Sequence, residues 1–181
     1  MSDEGSQNDQ AGARAIGPVV SAAHLASGAM PALSELEFAV TMMVNAYSRW
    51  MVRCMAAGGT AGLSPLDVQV LHSVNHRGRA KTLADICLVL NIEDTHTVSY
   101  ALKKLAKAEL IKSGRQGKEK TVSITKEGEE ACVEYRRLRE ALLVEPMKAL
   151  GLDERELSRL ASTLRLVSGN YDQAARAAAA M

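Results

Sequence analysis

Apolar residues recur at helical spacing over two short stretches near the middle of the chain, and polar residues mark where each helix begins. Thr82 precedes the first stretch, and Asp85 three positions later completes the signal of a helix N-terminus. This helix is expected to end at Asn91, which tolerates a left-handed conformation, and Asp94 is expected to cap the second helix. The apolar faces are predicted to comprise Leu83, Ile86, Cys87 and Leu90 in the first helix, and Val98, Ala101 or Leu102, and Leu105 in the second.

The hydrophobic period changes directly after the second helix. Leu110 and Ile111 open one predicted strand, and Val122 and Ile124 alternate with polar residues in the next. The segment 114–119 between them is rich in glycine and basic residues and is expected to be the connecting loop. Two helices followed by a hairpin form a winged helix-turn-helix, in which the second helix enters the major groove of DNA. The basic hairpin, or wing, could then approach the phosphate backbone; the alternative is an ordinary solvated hairpin.

Two more helices are predicted before this segment. Ser34 and Glu37 have the spacing of a capping box, so a long helix is expected to begin there and to end at the glycines 58–59. Ser64 is expected to cap the next helix, with a proline at its first position, and this helix should stop near residues 77–78.

Two further helices are predicted after the wing. A helix capped by Thr125 should run to about Val144, where Pro146 breaks or bends it. The last helix is expected to begin at Asp153 and to continue to Tyr171, before an alanine-rich tail. The first helix and the last two helices have more apolar surface than a small winged helix can bury, which favours a homodimer. The alternative is that these apolar stripes pack against one another within one chain.

The chain at these motifs resembles the MarR family of winged-helix transcription regulators. The similarity lies in the Leu-Ala pair at 83–84, in Leu-Ala-Lys-Ala-Glu-Leu-Ile at 105–111, and in Ile-Thr-Lys-Glu-Gly at 124–128. These segments are similar to the family's first reading helix, its exit from the recognition helix and its "Leu-Thr-x-x-Gly" helix entry. There are two departures: Glu109 stands where the family usually has glycine, and Gln-Gly-Lys at 116–118 replaces an Asp-Arg-Arg run in the wing.

The resemblance implies a mainly α fold with a small β-hairpin wing, in which a winged helix-turn-helix domain is joined to N- and C-terminal dimerisation helices. Residues 1–32, rich in small and polar side chains, are expected to form a flexible arm. The MarR-like domain is expected to span 33–175, and the alanine-rich tail is expected at 173–181, so the two ranges overlap at 173–175. Its parts are a dimerisation helix at 33–57, the winged helix-turn-helix at 64–125 and C-terminal dimerisation helices at 126–172.

The distribution of charge adds to this picture. The formal net charge of the 181 residues is only +1. The segment 72–120, however, contains ten lysines and arginines against five acids, a net +5, which leaves −4 for the rest of the chain. A basic reading segment on a mildly acidic body suits an electrostatically oriented partner of double-stranded DNA, although a solvated charged face would give a similar excess.

Polar and basic side chains on the outer face of the second helix and in the wing are the predicted DNA contacts. The helix lacks an arginine or glutamine suited to a bidentate base contact, so sequence selectivity is expected to be modest or to depend on DNA shape. The predicted contacts are Thr95, His96, Thr97, Ser99, Tyr100, Lys103 and Lys104 on the helix and Arg115, Lys118 and Lys120 in the wing.

Catalytic motifs are absent from the sequence, so no enzyme activity and no cofactor are predicted. His72 and His76 have the i, i+4 spacing of a metal pair, but a surface or partly packed histidine is the favoured interpretation of His72. Cys54, Cys87 and Cys132 fall on apolar faces, which favours packing over redox sensing.

The sequence therefore predicts a cytoplasmic, homodimeric transcription regulator that represses from a pseudo-palindromic operator. No membrane span or signal peptide is expected, since the uncharged run at 15–34 is too polar and too broken by proline and glycine. A small-molecule effector is implied by the family resemblance alone. The alternative function is a winged-helix module for protein–protein interaction without sequence-specific DNA binding, which an apolar or acidic surface over the second helix and wing would favour.

Overall fold

The computed structural model describes residues 17–151 and 153–181, which are mainly helical and include one antiparallel hairpin. This is the predicted fold class. The described residues divide into two units within the first helix, one up to Arg49 and one from Trp50 onward. The elements are α1 (Pro31–Ala57), α2 (Pro65–Asn75), α3 (Leu83–Leu90), α4 (Thr95–Lys107), β1 (Ile111–Gln116), β2 (Glu119–Ile124), α5 (Lys126–Arg139), α6 (Glu145–Ala149) and α7 (Glu154–Ala178).

Capping boxes define where α2 and α3 begin, as the sequence predicts. The Ser64 hydroxyl accepts a hydrogen bond from the Asp67 amide at 3.2 Å, and the Asp67 carboxylate accepts one from the Ser64 amide at 2.7 Å. Thr82 and Asp85 form the same pair of bonds at 3.1 and 2.9 Å. Asn91 ends α3 with φ at 53°, the expected left-handed stop. Each box satisfies two amides that have no partner inside the helix, which stabilises these short helices.

The core of the second unit is built around the apolar face of α4. Val98, Ala101 and Leu105 are fully buried, whereas Leu102 is only half-buried, so Ala101 is the one of the two predicted alternatives that lies on the inner face. α4 packs mainly against α2 and also against α3. The buried side chains that complete this core from α2 and α3 are Val68, Val70, Leu71, Val74, Ile86 and Cys87.

Lys81 joins the hairpin to the helices. Its backbone pairs with Val122 through two hydrogen bonds of 2.9 Å, which adds a short third bridge to the wing sheet. Its buried ammonium group donates to the carbonyl oxygens of Val74, His76 and Arg79 at 2.9, 2.6 and 3.2 Å. Burial, and then the charge of Arg79, lower the pKa of Lys81. This lysine therefore stabilises the end of α2 and adds no cation to the surface, although it belongs to the basic segment 72–120.

The wing is more regular than the sequence suggests, and the predicted loop at 114–119 is wrong. β1 and β2 continue through most of it, with Gly114 opposite Thr121 and Gln116 opposite Glu119. The turn is only the two residues Gly117 and Lys118, and Gly117 adopts a φ of +61°, which glycine accepts without steric cost. The outer parts of the two strands were missed because both faces near the tip are exposed to water, so no alternation of apolar and polar residues marks them.

The first helix begins earlier than predicted, and the capping box at Ser34 is wrong. α1 starts at Pro31, a residue favoured in a first helical turn, and Ser34 lies inside it. The Ser34 hydroxyl instead donates to the carbonyl oxygen of Leu25 at 2.6 Å. Of the predicted flexible arm, residues 1–16 lie outside the described residues, while 17–32 include a 3₁₀ helix at Ala23–Ser27 and the start of α1.

The C-terminal helices also differ from the prediction in their details. α5 gives way to a five-residue π-helical segment at Glu140–Val144, which precedes Pro146 in α6 and contains a hydrogen bond from the Glu145 amide to the Glu140 carbonyl oxygen. The expected break or bend at Pro146 is therefore replaced by a change of hydrogen bonding in the turn before it, and the helix continues to Ala149. α7 continues past Tyr171, so the predicted tail at 173–181 is helical as far as Ala178, because alanine is the strongest helix former. Within the described ranges, no helix is both long and apolar enough to span a membrane.

The exit from α4 requires a left-handed residue, and that residue is Glu109. Its φ is +59°. The Glu109 amide donates to the Ala106 carbonyl oxygen at 3.1 Å, and the Leu110 amide donates to the Leu105 carbonyl oxygen at 3.0 Å. These two bonds form a Schellman motif, in which glycine is strongly preferred because a Cβ atom is strained at positive φ.

Replacing Glu109 with glycine is therefore expected to raise the free energy of unfolding by about 1 kcal/mol. Urea denaturation of the wild type, Glu109→Gly and Glu109→Ala would measure it. The alanine variant keeps the Cβ atom and loses only the exposed carboxylate, so it should show no such gain. An equal gain in stability in both variants would mean that the charge of Glu109, and not its backbone conformation, is responsible.

Gly128 lies where α5 approaches the exit of α4. A Cβ atom at this position would overlap the Leu110 carbonyl oxygen and would lie 2.7 Å from the Ile124 Cδ1 atom. The Leu110 carbonyl is held in place because it accepts a 3.1 Å hydrogen bond from the Thr125 amide. No side chain of any size can therefore be added here without moving the backbone.

Gly128→Ala is expected to lower the free energy of unfolding by about 3 kcal/mol, since the overlap is with backbone and cannot relax. The matched control is Gly169→Ala in α7, where a Cβ atom meets open space and should stabilise the helix slightly. Urea midpoints for both variants test this. If the Gly128→Ala variant were as stable as the wild type, this would contradict the close approach of α5 to the Leu110 carbonyl oxygen.

Candidate nucleic-acid interface

The outer face of α4 presents the polar side chains that the sequence analysis selected. Thr95, His96, Thr97, Tyr100 and Lys103 are exposed, and Ser99 is half-buried. Tyr100 is the most prominent apolar group among them, with 72% of its surface exposed. The opposite face of the helix is the buried one, so burial of the apolar stripe is what turns these side chains outward.

The N-terminus of α4 is organised by Asp94. The Asp94 carboxylate accepts a hydrogen bond from the His96 amide at 2.9 Å, and the Thr97 hydroxyl donates to the Asp94 carbonyl oxygen at 2.7 Å. The Thr97 hydroxyl can therefore act toward a ligand mainly as an acceptor, because its hydrogen is already committed. The first turn of α4 is rigid before any partner arrives.

Lys104 differs from the other predicted contacts because its charge already has a partner. Its ammonium nitrogen lies 2.6 Å from a carboxylate oxygen of Asp67, whose side chain is only 3% exposed. Burial opposes ionisation of Asp67, but hydrogen bonds from Lys104 and Ser64 hold its pKa below the usual value. The same carboxylate caps α2, so Lys104 ties α4 to the beginning of α2. The sequence could indicate Asp67 as a cap but not as the partner of a lysine 37 positions away.

A cleft of about 500 Å³ separates α4 from the wing. It brings together four of the predicted residues: Ser99 and Lys103 from α4, and Arg115 and Lys120 from the wing. Arg115 and Lys120 are directly opposite each other in the β ladder, an arrangement in which like charges repel. An anion in the cleft would relieve that repulsion. Lys118 lies beyond the cleft, in the turn at the wing tip.

The surface formed by α4 and the wing is basic. Between residues 95 and 120 the exposed charged side chains are six cations and two acids, a net +4. The cations are Lys103, Lys107, Lys112, Arg115, Lys118 and Lys120, and the acids are Glu109 and Glu119. This arrangement can attract a polyanion over a distance and contact its phosphate groups directly.

His72 and the three cysteines are not part of this surface. His72 packs against the Tyr135 ring with 4.6 Å between ring centroids, and burial lowers its pKa. His76 is exposed, and no group of three or more metal-binding side chains occurs among the described residues. The three cysteines are buried, as the packing interpretation predicts. Burial raises the pKa of the Cys132 thiol to about 11, which keeps it protonated and weakly nucleophilic at neutral pH.

Comparison with known proteins agrees with this geometry. Residues 63–128 match the family model described as a winged helix DNA-binding domain. No curated protein sequence matches the chain. A MarR mutant from E. coli complexed with operator DNA is similar in structure, with 17% sequence identity, a TM-score of 0.61, and coverage of 78% of this chain and 99% of the solved one.

Two solved structures from Rhodococcus are also similar. CouR from Rhodococcus jostii RHA1, bound to p-coumaroyl-CoA, has 12% identity and a TM-score of 0.60, with 73% of this chain and 90% of the solved one covered. A MarR-family transcriptional regulator from Rhodococcus sp. RHA1 has 12% identity and a TM-score of 0.60, with 74% and 91% covered. The family match over residues 63–128 and the similarity to these solved structures thus agree on a winged-helix fold of the kind seen in MarR-family regulators. The resemblance found in the sequence is confirmed in the fold.

The two adjacent lysines of α4 are expected to behave differently when removed. Lys104→Ala leaves the nearly buried Asp67 carboxylate without its cation and should lower the free energy of unfolding by about 2 kcal/mol. Lys103→Ala removes an exposed charge that forms no ion pair with any described residue, and it should change the free energy of unfolding by less than about 0.5 kcal/mol. Urea denaturation at pH 7 distinguishes the two. Equal stability of the two variants would mean that the Asp67–Lys104 pair contributes nothing to the fold.

Proposed function

We propose that this protein is a homodimeric, MarR-type transcription regulator that occupies a pseudo-palindromic operator and represses transcription. The observation that carries the proposal is the basic cleft between α4 and the wing, which lies beside an exposed polar helix face. In this proposal α4 enters the major groove, and Lys103, Arg115 and Lys120 contact the phosphates that pass the cleft. As a transcription regulator, the protein would act in the cytoplasm and would catalyse no reaction.

The remaining predicted contacts have different roles in the proposal. Thr95, His96, Thr97, Ser99 and Tyr100 would face base edges or sugar and phosphate groups, and Lys118 would approach the minor groove from the wing tip. Lys104 is assigned to holding α4 in place and not to DNA, because its ammonium group is already paired with Asp67. None of these side chains makes a bidentate arginine contact with guanine, so DNA shape would contribute to selectivity.

Exposed apolar side chains on α1 and α7 support the dimer. On α1 the exposed group includes Met42, Met43, Val44 and Tyr47. On α7 no described residue is buried, and Leu157, Leu160, Leu166 and Tyr171 are exposed. Apolar surface of this extent on two long helices is typical of a protein interface, and a second copy of the chain would cover it. Two-fold symmetry would then present two copies of α4 to successive major grooves, ~34 Å apart.

A small-molecule effector is also part of the proposal. Its support is limited to similarity in fold with CouR, which has been solved with p-coumaroyl-CoA bound. An effector would regulate the protein only if it bound more tightly to one arrangement of the two recognition helices than to another.

A specific observation favours a second candidate function, the protein-interaction module. Leu88 and Val89 on α3 are 83% and 71% exposed, and they form an apolar pair beside the turn that leads into α4. Such a pair suits a protein partner better than a phosphate backbone. The surface of α4 and the wing is nevertheless basic, and this favours DNA as the main partner.

The proposal is tested by binding the purified protein to a genomic DNA fragment library over a series of salt concentrations. Enrichment of a pseudo-palindrome is expected, with a negative slope of log affinity against log salt. Lys103→Ala should make that slope shallower by about 0.9 for one lost phosphate contact. Sedimentation of the unbound protein should show a dimer.

The control for this experiment is Lys148→Ala, which removes the same charge from α6 and should leave the salt slope unchanged. Failure to bind any fragment at low salt would exclude the regulator and favour the protein-interaction module. A monomer that binds DNA would exclude the dimeric part of the proposal alone.

A further inference from the structure

Asn91 has two separate functions at the turn between α3 and α4. Its backbone ends α3 in the left-handed conformation, with its amide donating to the Leu88 carbonyl oxygen at 3.3 Å. Its side-chain amide nitrogen reaches a different part of the chain and donates to the carboxylate of Asp172 at 3.1 Å. The left-handed backbone restricts where the side chain can point, so this second bond joins two well-defined positions.

Asp172 belongs to α7, the helix whose exposed apolar side chains include Leu157 and Leu160. A continuous helix of this length behaves as a rigid rod, and Asp172 lies roughly 22 Å along it from Leu157 at a rise of about 1.5 Å per residue. α7 therefore carries exposed apolar residues suited to a second copy of the chain along much of its length, and near its C-terminal part a carboxylate bonded to the helix-turn-helix.

The position of Asn91 makes this bond relevant to the recognition helix. Only three residues separate Asn91 from Thr95, the first residue of α4. One of the three, Asp94, is the cap that holds the first turn of α4. A displacement of Asn91 would therefore be passed to the N-terminal turn of α4, which carries the proposed DNA contacts Thr95, His96 and Thr97.

We propose that the Asn91–Asp172 hydrogen bond is a positioning contact that fixes the recognition helix relative to α7 and so determines which half-site spacing the dimer accepts. The inference rests on the proposed function, because it needs a dimer that reads two half-sites. Asp172 touches no DNA in this account and acts through Asn91. The contact restricts the protein to a narrow range of operator spacings, and its loss widens that range.

The test uses the palindrome enriched by the wild-type protein, synthesised with its half-sites at the original spacing and with one or two base pairs inserted or deleted between them. The full-length wild type is expected to prefer the original spacing. Asp172→Ala should reduce the ratio of affinities between original and altered spacing by about fivefold, as expected for one hydrogen bond to a charged group that is partly exposed to water. Binding to random DNA should remain unchanged.

Three further variants separate positioning from charge and from folding. Asp172→Asn keeps an oxygen that accepts the Asn91 hydrogen bond, so it should retain the wild-type spacing profile even though the charge is lost. Gln173→Ala changes the next residue of α7, which is exposed, and should also retain it. Asn91→Gly keeps the left-handed turn but removes the amide, so it should reproduce the effect of Asp172→Ala.

An unchanged spacing profile in Asp172→Ala would overturn the inference while leaving the regulator intact. Loss of the profile in Asp172→Asn as well as in Asp172→Ala would also overturn it, because charge and not the hydrogen bond would then be responsible. Failure of the wild type to enrich a palindrome would be a failure of the proposed function itself.

Discussion

The packing of α4 against α2 is the interaction on which the rest of the structure depends. Val98, Ala101 and Leu105 bury one face of α4, and the Asp67–Lys104 ion pair closes the edge of this contact. Because a helix has only one apolar face here, burying it leaves the opposite face to present polar groups to the surroundings. The orientation of the proposed reading surface is therefore a consequence of core packing, and no separate interaction is needed to create it.

The wing is held to this core by backbone contacts as well as by buried side chains such as Ile111 and Ile124. Lys81 pairs with Val122, the Thr125 amide donates to the Leu110 carbonyl oxygen, and Gly128 lets α5 approach that carbonyl closely. Contacts of this kind leave little freedom of position, because backbone hydrogen bonds have narrow geometry. The wing can carry repelling cations such as Arg115 and Lys120 at its outer end because its base is anchored independently of them.

Local signals in the sequence were sufficient for the elements near the site. The capping boxes at Ser64 and Thr82, the stop at Asn91 and the inner face of α4 were all predicted, because each depends on residues within a few positions of one another. The errors have equally specific causes. The outer parts of the wing strands lack an apolar alternation. Ser34 has the spacing of a cap but bonds to Leu25, which the preceding 3₁₀ helix brings close.

The sequence by itself determined the order of elements, the helix-turn-helix and the set of polar residues on the outer face of α4. Local hydrogen bonding and the separation of apolar from polar positions are properties of neighbouring residues, so they can be recognised without coordinates. Only the tertiary structure decided which cations are free. Lys81 is enclosed by three carbonyl groups and Lys104 is paired with Asp67, while Lys103, Arg115 and Lys120 line an open cleft. The physical reason is that the environment of a charge depends on groups distant in sequence, which folding alone brings within hydrogen-bonding distance.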